Sequence, residues 1–409
     1  MKRLIIATHR RLDDERSGSK TYLSRIMMLA EEAGYKLSIL CLPVATFSSR
    51  PWGKIAEEFS GKADIIWPGT LKLGARYWSL SPIVWLRFIW RLIQAALEKL
   101  KLGPERWRSP WSNLATVPPA GELSRAARRI ADLSPDAVMV EYSSLGPLLD
   151  MVPQRIGKAL LVHDSFAARS ELFTSQGKAF DYDDAPTFDE EAERMASSDV
   201  IFHASLNELA RFQEIDSKPS HVWFRPTASV LRRRLKDRQQ AELLYIGANQ
   251  QGSRDAITHF LSEIWPHVRA GASGAKLNIV GPVGASLTSD LVTDGVVIHG
   301  RVDDLADFAG PDMIGILPTR LMSGISIKVG EYLGMGVPVV AYPVAIDGYG
   351  DTLEGIVQTA EDAASFADTL ITLLKDKSRR DEMCEAGLVA AETTLQNPEV
   401  ISALKQLPK

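Results

Sequence analysis

Residues 317–342, LPTRLMSGISIKVGEYLGMGVPVVAY, constrain this chain more than any other stretch. The apolar run 314–317 reads as a short buried strand, and Pro318 ends it. Ser323 and Gly324 then open a predicted helix, which Gly334 and Gly336 close before a second strand over 337–341. Two short apolar strands joined by one helix require a parallel sheet covered by helices. The start of such a helix offers backbone N–H groups and the positive end of its dipole, a receptor for phosphate. Lys328 falls within its first turns, and Glu331 lies three residues further on the same side. A cation beside a phosphate-receiving helix end, with a carboxylate one turn on, suits a nucleoside diphosphate. Lys328 would meet the pyrophosphate, and Glu331 would hold ribose hydroxyls.

The same alternation runs along the whole chain. In the first half, strands are predicted over 4–8, 37–42, 65–67, 137–141, 159–162 and 200–203, with helices over 21–33, 122–133 and 145–151. Residues 225–238 break the pattern: they are basic, hold Pro226 and lack a buried strand, as an interdomain linker would. The second half resumes with a strand from Leu243, strands over 277–280 and 296–299, a helix after the latter, and closing helices between 362 and 395. At 409 residues the chain exceeds one ordinary core, so two α/β domains are expected, over 1–225 and 239–396.

Apolar residues at 45% and charged residues at 24% describe a globular, water-soluble chain. A net charge of -4 speaks against a nucleic-acid partner. The two cysteines, Cys41 and Cys384, form no C-x-x-C pair and no disulfide framework, which fits a reducing cytosol. The apolar run 4–7 is too short for a secretory signal and is followed by His9, Arg10 and Arg11. No run reaches the roughly 18 uncharged apolar residues that a spanning helix needs. Residues 85–100 come nearest, but Arg87, Arg91 and Glu98 interrupt them.

That interrupted run is unusual in another way. Trp78, Trp85, Trp90, Trp107 and Trp111 are five of the nine tryptophans and fall within 77–111. On a helix, Ile83, Leu86, Trp90, Ile93, Leu97 and Leu100 form one apolar stripe, with Arg87, Arg91, Gln94, Glu98 and Lys101 opposite. Tryptophan with arginine is the composition of helices that lie in the headgroup layer of a membrane. The alternative is a helix packed on the sheet with its tryptophans in the core.

In open α/β sheets ligands sit beyond the carboxyl ends of strands. Three such ends in the first half carry chemistry. Residues 8–21, THRRLDDERSGSKT, fail as a phosphate loop because Ser19 and Asp14 stand where glycines are required, and they read as a flexible loop. Glu141 ends the next strand, followed by Tyr142, Ser143 and Ser144. His163 and Asp164 follow the third, where Asp164 suits a general base for an acceptor hydroxyl; the alternative is that both merely cap the next helix. In the second half, Gly247 ends the opening strand and permits close approach of backbone to phosphate, with Asn249 and Arg254 on the turn and helix start. Arg320 lies directly past a strand, and Arg301 lies near a second strand end. The acidic run 181–193 reads as a solvated helix start, and no metal site is implied.

Pro318, Arg320, Gly324, Lys328, Glu331, Gly336, Pro338, Val339 and Val340 fit the pattern P-x-R-x-x-x-G-x-x-x-K-x-x-E-x-x-x-x-G-x-P-V-V. This block resembles the donor-binding segment of GT-B glycosyltransferases, especially the large retaining family 4. LLYIGANQQGSRDAITHFL and HGRVDDLADFAGPDMIGILP are similar to two further segments of that family. The resemblance implies two Rossmann-like domains whose parallel sheets face a cleft, with residues 397–409 crossing back to the first domain. It also implies a nucleoside diphosphate sugar as donor, UDP or GDP in type, with no cofactor. The donor would be held by Gly247, Asn249, Arg254, Arg320, Ser323, Gly324, Lys328 and Glu331.

His163 matches a family histidine that contacts the donor sugar. Asp164 matches as well the catalytic aspartate of the glucuronosyltransferase of xanthan assembly, which carries a similar aromatic and basic helix. Ser323 departs from the pattern, since retaining members have a glutamate there, and the stereochemistry stays open. The expectation is a transferase acting on a lipid-linked or membrane-proximal glycan at the cytoplasmic face of the inner membrane. Trp85, Arg87, Trp90, Arg91 and Glu141 would serve acceptor or membrane. The rivals are a soluble nucleotide-sugar epimerase of the same fold and a non-catalytic sugar-nucleotide sensor.

Overall fold

The computed structural model describes residues 2–13, 18–42, 47, 50–99, 114–177, 184–226, 230–231 and 240–407. Most of the expected linker, Trp107 and Trp111, and residues 181–183 of the acidic run lie outside the described residues. The chain divides into two compact units. The first comprises Met1–His203, Glu208–Phe224 and Pro398–Lys409; the second comprises Ala204–Asn207 and Arg225–Asn397.

The first unit is built on β1 (Lys2–Thr8), β2 (Tyr35–Cys41), β3 (Trp52–Gly53), β4 (Asp64–Ile66), β5 (Thr70–Leu73), β6 (Arg76–Ser79), β7 (Ala137–Glu141), β8 (Gly157–Val162), β9 (Val200–His203) and β10 (Ser220–Trp223). Seven of these form one sheet in the order β10-β9-β8-β7-β1-β2-β4, with every pairing parallel. The central strand β7 buries all five residues, as a strand covered on both faces must. Its helices include α1 (Gly18–Glu32), α2 (Pro82–Lys99), α3 (Ala120–Leu133), α4 (Phe166–Ser175) and α5 (Phe188–Met195).

Two features were not expected. β3, β6 and β5 make a separate antiparallel sheet just before α2. The helix expected over 145–151 is instead a 3-10 turn, Ser143–Leu145, followed by a four-residue helix, Pro147–Asp150; Pro147 has no N–H to continue the first turn.

The second unit holds β11 (Glu242–Ile246), β12 (Leu277–Val280), β13 (Val296–Gly300), β14 (Met313–Leu317), β15 (Val339–Ala341) and β16 (Gln358–Thr359) in the order β13-β12-β11-β14-β15-β16, again all parallel. Its helices are α6 (Gln251–His259), α7 (Trp265–Gly271), α8 (Ile327–Gly334), α9 (Ala363–Lys375) and α10 (Lys377–Glu392). Between α6 and α7 the chain widens to a π-turn over Phe260–Ile264, where Pro266 removes a backbone donor. The helix expected after β13 is only a 3-10 turn, Ala306–Phe308. Asp304 caps it through Ala306 N at 2.9 Å, and Gly310, at φ 102°, ends it.

The last helix, α11 (Pro398–Gln406), belongs to the first unit. The Tyr35 hydroxyl donates to the carbonyls of Leu404 and Leu407 at 2.9 and 2.5 Å, and Lys2 Nζ donates to Leu407 O at 2.8 Å.

Candidate active site

In the second unit the ends of β11 and β12 meet through glycines. Gly247 N donates to Val280 O at 2.9 Å. Gly281 has φ 103°, and a Cβ there would lie 2.3 Å from Gly247 O. Only glycine permits both the backbone angle and the approach.

Helix α8 begins at Ile327, not at Ser323 as the sequence suggests, because Gly324 takes a left-handed φ of 71° that no helix contains. Lys328 is therefore the second helical residue, and no side chain caps the helix end at Ser326. Lys328 Nζ lies 3.3 Å from Ser253 Oγ and 4.9 Å from the centre of the Tyr245 ring. Glu331 follows one turn on and is half-buried. The turn that presents this helix end is clamped from below. Tyr349 Oη donates to Ser326 O at 2.7 Å, and a Cβ on Gly348 would fall 2.5 Å from Gly324 O. Tyr332 fixes the helix to the sheet: its hydroxyl accepts from Ile246 N at 3.0 Å and donates to Leu244 O at 3.2 Å.

Arg254 and Arg320 point elsewhere. Arg254 folds back onto Asn249 Oδ1 at 3.0 Å, and Arg320 pairs with Asp255 at 3.1 Å. Together with Gln251, Thr258 and His259 they line a shallow cavity of about 480 Å³. Arg301 is exposed at the end of β13.

In the first unit the ends of β1, β7 and β8 hold a buried ionic cluster. Glu141 is fully buried, with Arg10 Nη1 at 3.3 Å and His163 Nε2 at 2.8 Å from its Oε1. Burial raises the Glu141 pKa, but Arg10, His163 and Thr8 outweigh it and hold the carboxyl at about 2. An ionised carboxylate only accepts, so His163 must carry its proton on Nε2. The other ring nitrogen, Nδ1, is buried as well.

Glu141 has no exposed face with which to touch an acceptor. His163 turns one nitrogen to Glu141 and buries the other, so neither is presented to a ligand in this conformation. Asp164, beside it, keeps 18% of its side chain exposed, with Arg169 at 3.5 Å.

Residues 14–17 of the expected loop lie outside the described residues, and its two described ends are bonded to each other and to the cluster. Arg10 Nη2 donates to Ser19 Oγ at 2.7 Å, Lys20 Nζ pairs with Asp13, and Arg10 and Lys20 are both buried. Tyr142 sits at φ 67°, a strained angle for a bulky residue, with its ring 4.7 Å from that of His163. His9 is lowered to about 4, by burial first and by Arg10 as well. From the acidic run, Glu191 is not solvated but fully buried. It accepts from Ser143 Oγ and Ser165 Oγ at 2.6 Å each and from the N–H groups of Phe166 and Ala167 at 3.2 and 2.9 Å. Burial raises its pKa against these bonds. It ties the loop after β7 to the loop after β8.

The sequence singles out residues 8–21 and the strand end 141–144 without giving Arg10 or Tyr142 a role of its own, and it places Glu191 in a solvated run. For Arg10 a signal existed, since it directly follows a buried strand. Nothing in the run 181–193 distinguishes Glu191 from its neighbours.

Helix α2 is not packed in a core. Of its described side chains only Val84 is buried, while Leu86 is 65% and Trp90 52% exposed. Arg87 and Arg91 are exposed. Trp85 is more constrained than a free anchor, because its indole N–H donates to Ser79 O at 2.8 Å. Among the described residues no helix is long and apolar enough to cross a membrane.

Residues 240–376 match the family described as Glycosyl transferases group 1. No curated protein matches the chain by sequence. Among solved structures, the chain is similar to sucrose-phosphate synthase from Thermosynechococcus elongatus, with a TM-score of 0.66 and 13% identity over 98% of this chain and 97% of that one. It is similar to a trehalose-6-phosphate protein from E. coli bound with UDP-2-fluoro glucose, with a TM-score of 0.61 and 12% identity over 99% of each chain. It is also similar to WaaG, a glycosyltransferase involved in lipopolysaccharide biosynthesis, with a TM-score of 0.56 and 13% identity over 99% of each chain. The architecture is GT-B, and the chain carries a group 1 glycosyltransferase domain within it.

Proposed function

We propose that this protein moves a sugar from a nucleoside diphosphate sugar, UDP or GDP in type, to a hydroxyl of a lipid-linked or membrane-proximal glycan. The product would enter a surface polysaccharide or glycoconjugate, and the enzyme would work peripherally on the cytoplasmic face of the membrane. Lys328 receives the diphosphate at the uncapped start of α8, and Glu331 holds the ribose. The donor is a substrate, and no cofactor is required. Asp164 takes the proton of the acceptor hydroxyl as the anomeric bond to phosphate breaks, and Lys328 meets the charge on the leaving diphosphate. Glu141 keeps His163 fixed behind Asp164.

The observation that carries the acceptor class is α2, an 18-residue apolar and basic helix whose described side chains are almost all exposed. Incubation of pure protein with labelled nucleotide sugars, with and without a membrane lipid extract, tests the reading. Label should enter a solvent-extractable product only when extract is present. Conversion of the sugar without extract indicates an epimerase, and binding without turnover indicates a sensor.

A further inference from the structure

The antiparallel sheet that precedes α2 carries an exposed apolar face of its own. Leu71 pairs with Trp78 and Leu73 with Arg76, while Trp52 pairs with Trp78. Directly paired residues project from the same side of an antiparallel sheet, so Leu71, Leu73, Trp78, Arg76 and Trp52 share one face. The opposite face is turned toward the domain: Tyr77 lies 5.1 Å from Trp67, which is itself buried and stacked on Phe47. On the outward face Leu71 is 49% and Leu73 57% exposed, and Leu80, just past the hairpin, is 64% exposed.

This face is continuous with α2. Trp52 lies 5.4 Å from Trp78 and 5.3 Å from Phe88 of the helix, and the Trp85 indole bonds the hairpin carbonyl of Ser79. The charge is one-sided as well. Arg76, Arg87 and Arg91 are all exposed, and no carboxylate lies between Asp64 and Glu98, in a chain whose net charge is -4; Lys72, paired with Tyr77, is on the other side of the hairpin.

We propose that the hairpin Thr70–Ser79 is a second membrane-contacting element, and that it docks with α2 as one rigid face on an anionic bilayer. The inference rests on the reading of α2 as a membrane-facing helix. The occupant is a bilayer because the face is apolar over two different elements and carries the exposed Arg76, Arg87 and Arg91, the pattern that anionic headgroups over acyl chains complement. In this arrangement Trp52 and Trp85 are struts that join the two elements. Leu71, Leu73 and Leu80 enter the acyl boundary, and Arg76 meets the headgroups.

The test uses the full chain and phosphatidylcholine vesicles with and without phosphatidylglycerol. The parent should bind the anionic vesicles and be released by salt. Leu71→Thr with Leu73→Thr, at exposed positions, should weaken binding at least about tenfold with an unchanged melt, as should Leu86→Gln with Trp90→Gln in the helix. If the helix pair releases the protein and the hairpin pair binds like the parent, the hairpin inference is overturned and the helix reading stands. If the parent itself does not bind, both fall. A hairpin pair that turns a dimeric parent into a monomer in vesicle-free solution also overturns the inference, since the face would then be a contact between two copies.

A second measurement does not depend on the leucine variants folding well. A fluorophore on Leu80→Cys, with Cys384→Ser, should be quenched by spin-labelled lipid when vesicles are added. An unquenched probe on bound protein rejects the hairpin contact.

Discussion

Glu141 grips His163 from inside the sheet, Oε1 to Nε2 at 2.8 Å, and in doing so fixes both the proton position and the direction of the imidazole. The group that faces outward at this strand end is its neighbour, Asp164. Removing the Glu141 charge should therefore matter without any ligand present. Glu141→Gln removes the buried carboxylate that accepts from both Arg10 and His163 and should destabilise the first unit by roughly 3–5 kcal/mol. Denaturant unfolding measures this, and a midpoint equal to the parent's would show that the pair contributes nothing.

Acid should destabilise this protein over two successive pH ranges. His9 is held at about 4 and His203 at about 3, both chiefly by burial, against an ordinary 6.5. Both stay neutral in the fold and take up protons on unfolding, so their stabilisation is complete above pH 6.5 and is lost as pH falls toward 4 and 3. Glu141, lowered from 4.5 to about 2, contributes fully above 4.5 and loses its effect as pH falls through 2. Melting curves from pH 7 to pH 3 should show Tm falling from about 6.5 downward and more steeply below about 4.5. A His203→Gln variant that stays folded should lose part of the upper slope; an unchanged slope would remove His203 from the account.

Lys328→Ala should weaken binding of a nucleoside diphosphate by about 1.5–3 kcal/mol and leave free nucleoside nearly unaffected. Glu331→Gln should instead erase discrimination between ribose and 2′,3′-dideoxyribose ligands. Calorimetry distinguishes the two, and equal losses for nucleoside and diphosphate would place Lys328 away from phosphate.

Asp164→Asn should cut turnover on the order of 100-fold while donor affinity holds, because a base acts on the acceptor proton. A fully active variant would return the role to His163 and favour retention at the anomeric carbon. A collapse of donor affinity would make Asp164 structural.

Gly281→Ala places a methyl group 2.3 Å from Gly247 O at a φ of 103°. The strand ends must separate, at a cost of at least about 2 kcal/mol, and nucleotide affinity should fall with stability. An alanine variant that melts and binds like the parent would mean that this close approach is dispensable.

The parallel sheets were legible because buried strands such as 137–141 and 314–317 are continuous apolar runs bounded by turn residues. Lys328 and Glu331 stood out because their spacing on one helix face is a local property of the sequence. Their exact helix start was not, since the left-handed Gly324 depends on contacts from Gly348 and Tyr349 further along the chain. The ionic cluster was half visible. Glu141, His163 and Asp164 end strands, but which of them turns inward is decided by Arg10, more than a hundred residues earlier. The hairpin before α2 was hidden because its alternation is short and its leucines face outward. Glu191 reads as one acid among several until the fold closes over it.

The closing helix carries a consequence for the order of synthesis. Tyr35 and Lys2 find their partners at Leu404 and Leu407, which are made 369 to 405 residues later. The stretch Arg225–Asn397 of the second unit can be complete while the first still waits for Pro398–Lys409. Loss of residues 404–407 would thus be felt at β1 and β2, and the unit whose first strands are made early would be the last to finish folding.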